Sequence, residues 1–268
     1  MADWSKDEFM QSWDEKYVTT NLKPGDKLYN AEVFLALNKR LCEDAPELKP
    51  VSHAIIMAAC SALGRADVVG KYFDDVTKQS TPEESQAVFL KLREGMACIY
   101  PFVGMPALIP GAFGMIGVIK RKGEEYATLQ KFRKGTIDED NIRKGNDIRK
   151  IIYKTAGNSE IMDPFSKFFA ELYNGSTAFT WGYLLAAASD NVFDLPHTHF
   201  IVATAITALG ATRQTRSHLK ATMGAGNSTS AVKAMVDVVS EIATWAGRPI
   251  VQPDVDALAE EVRSSLKA

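Results

Sequence analysis

The residues best suited to chemistry in this sequence are histidines, and there are only four: His53, His197, His199 and His218. Three fall in one stretch. It reads Leu195-Pro196-His197-Thr198-His199, continues as an apolar run from Phe200 to Leu209, breaks at Gly210 and reaches Arg216-Ser217-His218. An unperturbed imidazole titrates at about pH 6.5, so two at one site, His199 and His218, can divide acid and base work near neutrality. Arg216 beside them suits a substrate carboxylate or an enolate, because a guanidinium fork matches paired oxygens. Such a set needs no cofactor. It can take a proton from a carbon beside a carbonyl, return it elsewhere, and stabilise the enolate left when carbon dioxide or water departs. Trp181 and Tyr183, on an apolar segment upstream, are candidates for a pocket wall. Each residue also has a plainer reading. His199 can close a helix start, His218 can pack in a hairpin, Arg216 can pair with an acid on a neighbouring helix, and Trp181 and Tyr183 can be core aromatics.

The elements that must position these residues read as three successive helices. Pro196 suits a first helical turn, where its missing N–H would have no partner. Gly210 and Gly226 suit helix ends that need a left-handed residue. Asn227, Ser228 and Thr229 are N-cap candidates for the third helix, which runs to Gly247-Arg248-Pro249. A similar unit occurs earlier. At one constant offset His53 meets His199, Ala62-Leu63-Gly64 meets Ala208-Leu209-Gly210, and Tyr72 meets His218. Thr81-Pro82-Glu83-Glu84, a helix start, meets Asn227 to Ser230 at the same offset. This pattern predicts an internal duplication of a three-helix unit. His53 has no histidine partner in its own repeat and reads first as structural.

The sequence lays out as an N-terminal arm with helices over 1–45, a first repeat over 46–119, a charged helical connection over 120–175 and a second repeat with a C-terminal helix over 176–268. In the arm, Trp4, Phe9, Trp13 and Tyr17 recur near helical spacing, and Asn30 caps a following helix. The connection predicts a helix over 148–173, with a second start at Pro164 after Asp163, and a turn at Asn174-Gly175-Ser176. No stretch alternates with period two for long enough to demand a strand, so the expected class is all-α.

Composition narrows the function. Among 268 residues 46% are hydrophobic, and the formal net charge is −2. That balance offers no attraction to nucleic acid or anionic membranes. The basic clusters between Lys120 and Lys150 are interleaved with acids, which marks a solvated surface rather than a nucleic-acid patch. The polar, acidic start lacks the pattern of a signal peptide, and no apolar run is long enough to span a bilayer. Three scattered cysteines, Cys42, Cys60 and Cys98, form no Cys-x-x-Cys and fit a reducing, cytoplasmic setting. No metal is expected: His197-x-His199 is a ligand spacing for a strand, and on a helix the two rings face nearly opposite ways.

The stretch from Leu195 to Pro249 resembles the alkylhydroperoxidase D-like superfamily, which includes the carboxymuconolactone decarboxylases. The likeness is carried by Arg216-Ser217-His218, the spacer to Gly226 and the helix ending in Gly247-Arg248-Pro249. Thr81-Pro82-Glu83-Glu84 and Tyr100-Pro101-Phe102-Val103-Gly104-Met105-Pro106 fit it in the first repeat. The resemblance implies an AhpD-like helical fold, a homo-oligomer with helix-walled pockets near subunit contacts, and a small-molecule substrate. It implies that His199 and His218 meet, which hairpin geometry alone does not establish. The sequence departs from the peroxidase branch and its Glu-x(11)-Cys-x-x-Cys-x-x-x-His arrangement. With His218 as the last residue, the thiol positions hold Ala211 and Gln214, and the acid position holds His199. Thiol peroxidase chemistry is therefore excluded at this site. The expected function is a cofactor-free lyase or isomerase of a small carboxylated or enolisable molecule. The alternatives are a non-catalytic ligand-binding or assembly protein on the same fold, and a peroxidase working through Cys98, whose apolar setting suits a thiolate poorly.

Overall fold

In the computed structural model, which describes residues 3–156 and 159–267, every regular element is a helix and no strand occurs among the described residues. The all-α expectation holds. The helices are α1 (Glu8–Trp13), α2 (Ala31–Asp44), α3 (Ser52–Ala62), α4 (Asp67–Val76), α5 (Pro82–Val103) and α6 (Met105–Lys122). They continue as α7 (Glu139–Tyr153), α8 (Ser159–Phe168), α9 (Ala170–Gly175), a π-helix (Ser176–Leu185) and α10 (Ala186–Asn191). The last four are α11 (Leu195–Ala208), α12 (Thr212–Gly224), α13 (Thr229–Trp245) and α14 (Val255–Lys267).

Two of these are apolar nearly all round and form the centre. Every residue from Ala54 to Ser61 in α3 is buried, as is every residue from Thr198 to Ala208 in α11. A helix without a polar face must be covered on all sides. Here α3 and α11 pack on each other, and α5 packs on both. Two hydroxyls within α11 are satisfied locally: Thr204 and Thr207 donate to the carbonyls of Phe200 and Ala203.

The helix ends follow the residues that mark them. Asp194 caps α11 by accepting from the His197 N–H, with Pro196 in the first turn. Thr81 and Glu84 form a reciprocal capping box at the start of α5, and Asn30 caps α2. Ser228, not its neighbours Asn227 or Thr229, caps α13. Both α3 and α11 end on a glycine with almost the same left-handed φ, +67° at Gly64 and +68° at Gly210, where a side chain would be strained.

The middle of the chain departs from its sequence reading. The charged stretch forms α7 from Glu139, earlier than the apolar spacing suggests, because Asp138 and Asn141 cap it reciprocally. The helix expected from Ile148 stops at Tyr153, and separate helices α8 and α9 follow; Pro164, expected as a second start, lies inside α8. Asn174-Gly175-Ser176 is not a turn: Gly175 and Ser176 keep helical dihedrals and lead directly into the π-helix. Two cations of the charged stretch face inward rather than to water. Arg133 bonds Glu94 and the carbonyls of Tyr183 and Leu184. Arg149 is buried, donates to Thr177 at 2.5 Å and lies over the Tyr173 ring. The N-terminal arm packs on its own chain: Trp4 and Trp13 donate their indole N–H groups to Asp74 and to the Phe113 carbonyl.

Against α7 the π-helix makes a very close approach. A Cβ at Gly182 would fall 1.7 Å from the Asn141 carbonyl oxygen, and one at Gly145 would fall 2.0 Å from that of Thr177. Only glycine allows this contact. It fixes the π-helix, and with it Trp181, against α7.

Candidate functional site

His199 lies in the second turn of α11, and His218 lies midway along α12. The left-handed turn at Gly210 folds the two helices back on each other and brings the rings together. His199 Nε2 and His218 Nδ1 are 3.0 Å apart, a hydrogen bond. The rings are nearly parallel, 17° between planes, with centroids 5.2 Å apart. His199 is fully buried and His218 is 6% exposed, so any approach from outside comes to His218 first.

Aromatic rings enclose the pair. Trp181 stacks near His199 with centroids 6.4 Å apart. Tyr153 and Phe102 set their edges toward His218 at 6.0 Å and 6.3 Å, and Tyr153 also meets Trp181. Phe102 comes from the end of α5 and Tyr153 from the end of α7. Neither was legible as a site residue, because the contact depends on where two helices stop. The nearest signal was Phe102 in the run before Gly104.

Burial holds both imidazoles neutral. Removal from water pushes His199 well below the ordinary 6.5, with the neighbouring His218 as a second cause, and pushes His218 down to about 4. No lysine or arginine among the described residues contributes to either shift. The His199 Nδ1 atom is buried and has no hydrogen-bond partner among the described residues. A neutral imidazole has one N–H and one bare nitrogen, so the shared bond can run in either direction. If His218 donates, its outer nitrogen is a base; if His199 donates, the outer nitrogen of His218 carries a proton and is an acid. No backbone carbonyl or carboxylate at His199 Nδ1 fixes the choice.

The other residues expected at this site stand elsewhere. Arg216 is exposed and pairs with Glu261 of α14 at 2.7 Å, in an ion pair that also takes Lys220. It follows from helix geometry that residues two apart do not share a face, so Arg216 cannot flank the ring of His218. Tyr183 stacks on Phe179 and donates its hydroxyl to the Lys134 carbonyl. Of the two candidate wall aromatics, only Trp181 touches the pair. His197 is a first-turn residue, as its place after Pro196 suggests, and its Nε2 contacts the Glu47 carbonyl at 3.0 Å. Cys98 is buried, and burial raises its thiol to about 12, the reverse of what a reactive thiolate needs. Among the described residues no group of histidine, cysteine and acidic side chains could hold a metal ion. A cleft of about 940 Å³ exists, but Phe9, Phe89, Ile116, Ile119 and Leu129 line it rather than the histidines.

Compared with known proteins, the chain stands apart: no family model, no curated protein and no solved structure matches it. No helix among the described residues is long and apolar enough to cross a membrane.

Proposed function

We propose that this protein is a cofactor-free lyase or isomerase in which His199 and His218 act as one acid/base unit, on a duplicated AhpD-like fold. The observation that supports it is the buried hydrogen bond between two neutral imidazoles with no partner fixing its direction. His218 is the ring that meets the substrate, taking or giving a proton at its outer nitrogen. His199 stands behind it and exchanges the proton in the shared bond. One such unit can remove a proton at one atom and return it at another, which is the requirement of a tautomerisation. With Arg216 turned toward Glu261, nothing cationic holds a carboxylate at the pair. The substrate class therefore narrows to a small enolisable carbonyl compound, seated against Phe102, Tyr153 and Trp181.

A second reading is favoured by one observation: the pair is almost sealed, at 0% and 6% exposure. On that reading the fold is a non-catalytic ligand-binding or assembly protein, and the histidines are a polar contact inside its core. In either case we place the protein in the cytoplasm as a homo-oligomer. Phe168, Phe169 and Leu172 leave apolar surface on α8 and α9 that supports association.

One measurement separates the two. Enolisable ketones, diketones and β-keto acids are incubated with the protein in heavy water, and deuterium uptake is followed by NMR. Uptake that disappears in His218→Ala supports the acid/base unit. Uptake that persists unchanged in His218→Ala moves the chemistry elsewhere. Silence across ketones, diketones and keto acids alike favours the non-catalytic reading.

A further inference from the structure

Large apolar side chains left in water gather on this protein in two places, one hollow and one raised. The exposed phenylalanines among the described residues, Phe9, Phe168 and Phe169, all fall on them. The hollow is the cleft of about 940 Å³. Phe9 of α1, Phe89 of α5 and Ile116 and Ile119 of α6 line it, together with Leu129 on the segment after α6. Ile116 and Leu129 are exposed within it. Lys120, Arg121 and Glu124 also line the cleft. Arg121 is held by Asp74 at 2.5 Å, whereas the Lys120 ammonium lies only over the Trp13 ring, 5.9 Å from its centroid.

The raised surface is α8 with the start of α9. Ile161, Phe165 and Phe168 fall at i, i+4 and i+7, one face of a helix, and Phe169 and Leu172 extend that stripe. Its inner side is anchored. Phe165 stacks on Phe169 and meets Tyr173 edge-on, and the buried Arg149 lies 4.0 Å from the Tyr173 ring. Its outer side is bare, with Phe168 72% and Leu172 63% exposed. Asp163 and Glu171 are exposed on the same two helices, and the Lys167 ammonium folds back over Phe168. Here α8 packs chiefly on α9, and α9 on the π-helix, so the ridge shares no element with the cleft.

Apolar surface concentrated in this way marks a contact with another molecule. Two identical ridges meeting face to face would set Asp163 and Glu171 against their own copies and leave the cleft unfilled. The cleft is concave and apolar where the ridge is convex and apolar, and it holds Lys120 where the ridge holds acids. We propose that the ridge of one copy seats in the cleft of a second copy. Phe168, Phe169 and Leu172 fill the space between Phe9, Ile116 and Leu129, with Asp163 and Glu171 toward Lys120. Such a contact is heterologous: each copy gives one surface and receives another, so copies add head to tail until a ring closes. The proposal rests on the homo-oligomer reading above and adds to it the two surfaces that meet.

The test is sedimentation of the full chain at rising concentration, with a ridge variant, Phe168→Gln with Leu172→Gln, and a cleft variant, Ile116→Gln with Leu129→Gln. All four positions are exposed, so the core is untouched, and unchanged far-ultraviolet circular dichroism verifies this. The unmodified protein should associate, and each variant alone should do so about 100-fold more weakly. Mixed together, the intact cleft of one variant and the intact ridge of the other should give a heterodimer and nothing larger. Lys120→Glu should weaken association by about tenfold while Lys120→Arg preserves it. An unmodified protein that stays monomeric at every concentration would overturn this proposal and the homo-oligomer reading together. Association that both variants retain in full would overturn the proposal alone. Loss confined to the ridge variant, with no rescue on mixing, would mean that two ridges meet and would overturn it as well.

Discussion

His53 and His199 occupy matching places: each lies within the first two turns of a largely buried helix, and each bonds a residue nineteen positions further on. What differs is that partner. Tyr72 offers a hydroxyl that must donate, and this fixes the tautomer of His53. His218 offers a second imidazole that can donate or accept, and this leaves His199 free to do either. An unlocked pair walled by Phe102, Tyr153 and Trp181 suits moving a proton. The comparison teaches that the partner's proton inventory, more than the histidine itself, decides what each location can do.

The comparison breaks most sharply if the second pair is made to look like the first. His218→Tyr should lower deuterium exchange by about 100-fold or more, the scale of losing a general acid/base group, as measured by the NMR uptake rate. A rate within a factor of two of the unmodified protein would refute the proton-exchange role.

Acid sharpens what the pairs share. An unfolded histidine takes its proton near 6.5, whereas folded His53 and His218 wait until about 4. Between those values the unfolded state holds more protons, so stability is full above about pH 6.5 and falls as the pH drops toward 4. Each ring contributes roughly 3 kcal/mol to that loss. Urea unfolding at pH 7 and at pH 5 should show the decline, and His218→Gln should flatten it.

Smaller effects test the lock itself. Tyr72→Phe leaves His53 Nδ1 without its donor and should cost about 1–2 kcal/mol. Nitrogen-15 spectra should then show the His53 proton shared between both ring nitrogens; a proton still held at Nε2 alone would mean that Tyr72 is not what fixes it. The least effect belongs to Arg216→Ala. Its ion pair with Glu261 is exposed, so stability should change by less than about 0.5 kcal/mol. Deuterium uptake should stay as it was, and a large loss would return Arg216 to the site.

Much of the frame was written in local residue types. Pro196, Gly64, Gly210, Thr81 with Glu84, and Asn30 act through their own dihedrals or through neighbours a turn away, so the helix ends were legible. His53 and His199, read at one offset, lie near the starts of α3 and α11. Other features depend on distant partners. Arg216 follows Glu261 on the C-terminal helix, and spacing along the chain does not say which face of that helix meets α12. Arg133 and Arg149 turn inward because carbonyls and Thr177 receive them, where charge alone predicts a solvated side chain. Phe102 and Tyr153 reach His218 only because α5 and α7 end beside it.

The π-helix from Ser176 to Leu185 carries a different kind of information. Each of its hydrogen-bonded rings holds one residue more than an α-helical ring. Removing a single residue from this run would let the segment close into ordinary α-helical turns, with everything beyond the cut rotated by about 100°. Trp181 would leave the face of His199, and the carbonyls of Tyr183 and Leu184 would leave the reach of Arg133. In this segment the number of residues is itself part of the code: away from Gly182, a conservative replacement is tolerated where a shortening by one is not.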